Sequence, residues 1–186
     1  QLTHITQIGS ARCASIARRW QLDDATHDAF NYRSRSTFTL AATRVGDPLL
    51  LDLHFRSQPA IITFSNATFY GGNLEICTQA TTLGDLDEPT IRWHDVDGEA
   101  QRGGNGRSWR NLREAESVVG ELGTLMPRLT ELGLSVGVVT PYRAQVEEIR
   151  QLAHRRLGPE VDGVSIDTAH RFQGDERDVM ILSPVV

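Results

Sequence analysis

Lysine is absent from this chain, and all 19 of its basic residues are Arg. Codon bias accounts for this simply, and the chemical consequence holds whatever the cause. There is no phosphate-binding P-loop lysine, no lysine Schiff base and no lysine general base. If the chain belongs to an ATPase, it is not the half that carries the triphosphate cradle. Cysteine is scarce: Cys13 and Cys77 are the only two, with neither metal spacing nor a disulfide framework. A reducing, cytoplasmic setting is therefore expected. His4, His27, His54, His94, His154 and His170 form no pair at metal-ligand spacing, so no metal site is expected. No apolar run is long enough to cross a bilayer, and no secretion leader is read at the start. No internal repeat, nucleophile–base pair or dinucleotide fingerprint appears, which argues against a stand-alone metabolic enzyme. The net charge of −5 rules out a broadly basic nucleic-acid coat, though not a narrow basic groove.

What is present suits one domain with a sizeable core, or one domain and part of another, in 186 residues. Apolar spacing predicts a helix over Ala11–Trp20, and Asn31–Thr37 reads as a loop. Gly46-Asp47-Pro48 is a turn signal before the apolar Leu49-Leu50-Leu51. Pro59–Tyr70 reads as a helix, with Pro in its first turn and Gly71-Gly72 as its stop. From Cys77 to Ser108 the chain is loop-like, with one strand expected at Thr90–Val96. Gln101–Ser108 is the best candidate for disorder. A long helix is expected from Asn111 to Leu132, kinked or divided at Pro127. Val136–Val139 reads as a strand. A helix to about Leu157 should follow, with Thr140 as N-cap and Pro141 as first helical residue. Val164–Ile166 and Asp178–Leu182 are further strands. Strand, helix, strand implies a crossover and a parallel sheet covered on both faces, an α/β fold.

Three segments carry chemistry. The polar stretch Thr168-Ala169-His170-Arg171-Phe172-Gln173-Gly174-Asp175-Glu176 joins two strands, where ligands of α/β sheets gather. Glu176 can accept from a ribose or position a water, Gln173 can bridge to a phosphate, and Thr168 can touch a nucleic-acid backbone. Gly174 lets the backbone approach a ligand closely. The plainer alternative is a self-satisfied loop in which Glu176 pairs with Arg177 or Arg171. Thr140-Pro141-Tyr142-Arg143 sits where a strand ends and a helix begins, with free N–H groups and the positive end of the dipole. It suits a phosphodiester backbone, or is an ordinary cap with a solvated Arg. Arg56, between Phe55 and the helix-opening Pro59, can reach a phosphate held by a neighbouring domain, or simply pair with a nearby carboxylate. Arg102, Arg107, Arg110 and Arg113 are either a phosphate-seeking patch or a solvated loop.

Taken in order, these segments resemble a known family. Phe55-Arg56-Ser57-Gln58-Pro59, Phe69-Tyr70-Gly71-Gly72-Asn73-Leu74, Asn111 with Glu114-Ala115, Thr140-Pro141-Tyr142-Arg143-Ala144-Gln145 and Phe172-Gln173-Gly174-Asp175-Glu176 look like motifs of superfamily 1 helicases. The group is the one that includes the nonsense-mediated-decay helicase and the Okazaki-fragment helicase-nuclease. The resemblance runs from about Leu49 to the end. It implies a RecA-like, P-loop NTPase-type three-layer fold with a mainly parallel sheet. Residues 1–45 would be the tail of a first RecA-like domain with a connector, and residues 46–186 an incomplete second one. It further implies ATP and Mg²⁺ bound mainly by the first domain, with Arg56 reaching the γ-phosphate. Phe55 would lie near the nucleoside, with Gln173, Gly174 and Glu176 bordering the nucleotide. Gln1 would be a phosphate sensor. Thr140, Pro141, Tyr142, Arg143 and Thr168 would face single-stranded DNA or RNA. Ser57-Gln58 departs from the family's usual Met-His, and His170-Arg171 departs as well. Those departures leave a second reading open, a catalytically silent RecA-like module that docks nucleic acid or protein.

Overall fold

The computed structural model describes residues 9–31, 35–46, 49–78, 90–103 and 106–186. Gln1, Asp47-Pro48 of the expected turn and Gly104-Asn105 lie outside the described residues. The chain divides into two compact units, Gln1–Asp52 and Leu53–Val186.

The first unit holds three helices among its described residues: α1 (Ser10–Arg19), α2 (Asp24–Ala29) and α3 (Thr37–Val45). Only α1 was expected. The other two are short and are set by their caps. Asp23 accepts from the Thr26 N–H at 2.7 Å, and Ser36 accepts from the Thr39 N–H at 3.1 Å. That bond to Thr26 is also the first cause holding the Asp23 carboxyl below its ordinary range. Such caps satisfy donors that a helix cannot satisfy itself.

The second unit begins with β1 (Leu53–His54), α4 (Pro59–Phe69) and β2 (Glu75–Ile76), and the two strands pair in parallel. No strand forms at Thr90–Val96. Instead β3 (Gln101–Arg102) and β4 (Trp109–Arg110) pair as an antiparallel hairpin, across the stretch expected to be disordered. Next come α5 (Leu112–Leu132), β5 (Val136–Thr140) and α6 (Arg143–Leu157). A 3-10 turn (Gly158–Gly163), β6 (Ser165–Thr168) and β7 (Val179–Leu182) complete the unit. Helix α5 runs through Pro127 undivided, because that residue is exposed and water can take up the carbonyl it leaves unpaired.

The main sheet is parallel throughout, in the order β6-β5-β7. Val136, Val138 and Ile166 point to one face and pack against Ala115, Val118, Val119 and Leu122 of α5 and Val146, Ile149 and Ala153 of α6. Alternation sends Gly137, Met180 and Leu182 to the other face. Among the described residues that face is not covered by a helix to the same extent: Met180 is 43% and Leu182 66% exposed. Because β6 and β7 flank β5, the ten residues joining them must cross it. They cross over Gly137, where an added Cβ would lie 2.9 Å from Met180 Sδ and 3.1 Å from Arg177 Cγ and Phe172 Cε1. Glycine at 137 is thus the condition for the loop to lie close on the sheet.

Candidate functional site

Arg56 follows β1 in a turn held from both sides. The Ser57 N–H donates to His54 Nε2 at 2.8 Å, and the Thr78 hydroxyl donates to the Ser57 carbonyl at 2.7 Å. Pro59 then opens α4 in its first turn. Sequence reasoning missed His54; its spacing two residues before the Arg was the available signal. The turn leaves Phe55 65% exposed and Arg56 projecting.

Arg56 meets Glu176, 120 residues further on, with Nε 3.4 Å from Oε2. The pair is the plainer of the two outcomes expected for Arg56, a bond to a nearby carboxylate, while neither partner expected for Glu176 is used. Arg177 donates to Asp175 and to the Glu176 carbonyl, each at 2.6 Å, and Arg171 lies 3.9 Å from Asp167. The Arg56 and Glu176 side chains are 61% and 73% exposed. A pair so open to water contributes about 0–1 kcal/mol. It is therefore too weak to be a structural anchor, and either partner is easily drawn to a stronger ligand.

The loop is held by its own hydrogen bonds. Thr168 O accepts from the N–H groups of Arg171 (2.9 Å) and Phe172 (3.2 Å), and Phe172 O accepts from Asp175 N–H (3.0 Å). Arg177 reaches back to Ser165 Oγ at 2.6 Å. The guanidinium of Arg177 is the first cause holding the Asp175 carboxyl below its ordinary range. At the far end, Ser135 donates to Asp178 through N–H (2.8 Å) and hydroxyl (2.6 Å), which likewise keeps the Asp178 carboxyl low. Gln173 and Gly174 sit exposed at the turn, Gly174 with φ +87°.

Thr140 and Thr168 lie side by side, paired in register at the ends of β5 and β6. Thr140 is fully buried, and its hydroxyl lies 3.5 Å from the Tyr142 N–H; Thr168 is half-buried. The exposed groups of this rim are Pro141 and Arg143, with Tyr142 half-buried. The expected cap is corrected here. Thr140 ends the strand, Tyr142 is the N-cap with no side-chain cap bond, and α6 starts at Arg143 rather than Pro141. The capping acceptor comes from elsewhere: Ser108, in the turn of the β3–β4 hairpin, accepts from the Ala144 N–H at 3.1 Å.

Beneath the rim is a buried polar network. Gln145 accepts from the Asn111 N–H at 2.9 Å through Oε1. Its Nε2 donates to the Asn111 carbonyl and to Ser183 Oγ, both at 3.1 Å. Glu114 Oε1 accepts from Ser183 Oγ at 2.6 Å and from the Val185 N–H at 3.1 Å. Asn111 also caps α5 through the Glu114 N–H. The start of α5, the first turn of α6 and the segment after β7 are thereby locked together. Among the described residues no group of three or more His, Cys, Asp or Glu side chains is placed to hold a metal ion. No described helix is long and apolar enough to cross a membrane.

This parallel sheet with helices packed on it, and polar groups gathered at the strand ends, is the α/β architecture of a RecA-like domain. The chain belongs to the AAA domain family, which it matches over residues 33–186. Relatives place it among superfamily 1 helicase domains of the nonsense-mediated-decay type. It is 30% identical over 145 residues to Helicase sen1 of Schizosaccharomyces pombe, covering 73% of this chain and 8% of that protein. It is 30% identical over 151 residues to Putative helicase mov-10-B.1 of Danio rerio, covering 71% of this chain and 15% of that protein. It is 30% identical over 169 residues to 5'-3' DNA helicase ZGRF1 of Mus musculus, covering 89% of this chain and 9% of that protein. The chain thus spans only a small part of the relatives it matches.

Proposed function

We propose that this chain supplies the arginine-finger side of the ATP cleft, and part of the single-strand track, in an ATP-dependent helicase or translocase. Residues 1–45 would close a first RecA-like domain, and residues 46–186 would form most of the second. The observation that carries this reading is the exposed Arg56–Glu176 pair, which unites two segments far apart in sequence. Arg56 exchanges a weak carboxylate partner for the γ-phosphate presented by the first domain, where it stabilises charge developing on the transferring group. Glu176, released, accepts from the ribose or positions water. Phe55 offers its exposed ring to the nucleoside, while Gln173 and the open backbone at Gly174 border the phosphates. Gln1 is assigned the phosphate-sensing role that its motif implies.

The residues at hand fit the nucleotide's phosphate and base better than its metal. Mg²⁺ would neutralise phosphate charge when bound, and its ligands are assigned to the first domain. Thr168 begins the same loop that Glu176 ends. Movement at the nucleotide therefore reaches the rim of Thr140, Pro141, Tyr142, Arg143 and Thr168, which would grip single-stranded DNA or RNA. Because Thr140 is buried, Arg143 and the half-buried Tyr142 make the outer contact and Thr140 supports them. A cytoplasmic setting belongs to this reading and fits the free Cys13 and Cys77.

In the parent protein, Arg56→Ala should lower ATP turnover by about three to five orders of magnitude and leave strand binding largely intact. ATPase activity close to wild type would overturn the assignment in favour of a silent docking module. The chain alone, having no P-loop lysine, should show no Mg²⁺-dependent ATP hydrolysis in a phosphate-release assay.

A further inference from the structure

Of the four arginines between residues 102 and 113, Arg102 and Arg110 lie on the strands of the β3–β4 hairpin and Arg113 on α5, while Arg107 is exposed in the turn. Arg102 and Trp109 are cross-strand partners in the β3–β4 hairpin, and the Arg102 guanidinium lies 4.0 Å from the centre of the Trp109 ring. Arg102 also donates to the Gly106 carbonyl at 3.4 Å. The hairpin is closed by the Gly103 N–H on the Ser108 carbonyl at 2.7 Å. It is docked on the first turn of α6. Ser108 accepts from the Ala144 N–H, and Gly103 lies so close that an added Cβ would sit 2.5 Å from Ala144 Cβ. Only glycine permits that approach. The hairpin is thereby fixed one residue from Arg143, on the rim assigned to the single strand.

Glu148 is taken by Arg110 at 2.7 Å, and Glu114 is buried in the network below. Arg102, Arg113 and Arg143 are exposed, and so are Asp95, Asp97, Glu99 and Glu147 nearby in sequence, so what favours an anion is the single placed guanidinium of Arg102 and not a basic patch. A guanidinium resting on an indole is pre-positioned, loses little freedom on binding and can still donate from its edge. Its outer face can also continue a stack of bases.

We propose that the β3–β4 hairpin is a second nucleic-acid contact, in which Arg102, seated on Trp109, takes a backbone phosphate of the single strand that crosses the α6 rim. The contact reads no sequence: it lengthens the track and sets where the strand leaves the domain. This rests on the single-strand assignment of the rim.

The test is fluorescence anisotropy of the whole chain with fluorescein-labelled oligothymidylate and oligouridylate, titrated over a range of salt. Arg102→Ala should weaken both probes alike and flatten the slope of log K against log salt by about 0.7, the loss of one phosphate contact on a single strand. Arg102→Lys should restore the slope while recovering affinity only partly. In a Trp20→Phe/Trp93→Phe background, the remaining Trp109 emission should change on strand addition. An unchanged slope in Arg102→Ala, with the slope flattened in Arg143→Ala, would overturn the hairpin contact and leave the rim reading standing. No strand binding by the unsubstituted chain, or slopes unmoved by either variant, would overturn both.

Discussion

Replacing Glu114 by Ala tests the packing logic most directly. Glu114 is 7% exposed, and its Oε1 is the acceptor for both the Ser183 hydroxyl and the Val185 N–H. Truncation leaves the Val185 amide without a partner. The Ser183 hydroxyl keeps only the bond it accepts from Gln145. Each buried polar group left unsatisfied costs about 1–3 kcal/mol. Ala gains a few tenths of a kcal/mol of helix propensity in return. The expected loss is therefore about 3 kcal/mol, or roughly 6–12 °C in Tm for a unit of this size. Glu114→Gln keeps an acceptor oxygen and should lose about a third of that, because only the charge assistance goes. Urea denaturation followed by circular dichroism reads this as a shifted midpoint with unchanged slope. A cycle with Ser183→Ala should show coupling of about 1 kcal/mol or more, since the two groups share one bond. A loss below about 0.5 kcal/mol for Glu114→Ala, or strict additivity in the cycle, would refute the reasoning.

Two further outcomes follow from the loop that crosses the sheet. Gly137→Ala forces its Cβ against Met180, Arg177 and Phe172. All three contacts are side-chain atoms that can shift, so the cost should be about 1–3 kcal/mol and fall on the loop. Hydrogen exchange at the amides of Arg171, Phe172 and Asp175 should quicken; unchanged protection would mean that the loop does not rest on Gly137. Asp178 has its carboxyl held below the ordinary 3.8 by its bonds from Ser135. A depressed carboxylate adds stability that is present above the unfolded value and is lost as pH falls through the folded one. The stability gap between the unsubstituted chain and Asp178→Ala, measured by urea midpoints, should be full at neutral pH and shrink below about pH 4. A gap that widened on acidification would contradict that sign.

Helix α4, the long α5 and strands β5 to β7 were legible because each is written locally. Pro59 and the Asn111 cap mark helix starts, and the apolar runs of the last third match buried strands. The short α2 and α3 escaped notice, since a cap and one turn of helix barely rise above background. Thr90–Val96 has the composition of a strand but forms none. The converse holds at Gln101–Ser108, whose described residues 101–103 and 106–108 belong to the hairpin. Its glycines suggested disorder, yet one of them, Gly103, is the residue that lets the hairpin sit on Ala144. Likewise Thr140 looked like a cap because Thr before Pro so often is one, and Ser108, 32 residues earlier, could not be found by spacing.

By itself, the sequence determined the chemistry available here. It holds no lysine to cradle a phosphate, an Arg ahead of a helix, and a Gly-bearing polar loop between two strands. It also determined the periodicities that make α5, α6 and the parallel strands. Only the tertiary structure decided which groups meet. Arg56 faces Glu176, Ser108 caps α6, Arg102 rests on Trp109, and Glu114 holds the segment after β7. The physical reason is range. Propensity and capping act within a few residues along the chain, whereas these pairings exist only because β5 lies between β6 and β7, and because the hairpin and the loop are folded onto the elements beside them.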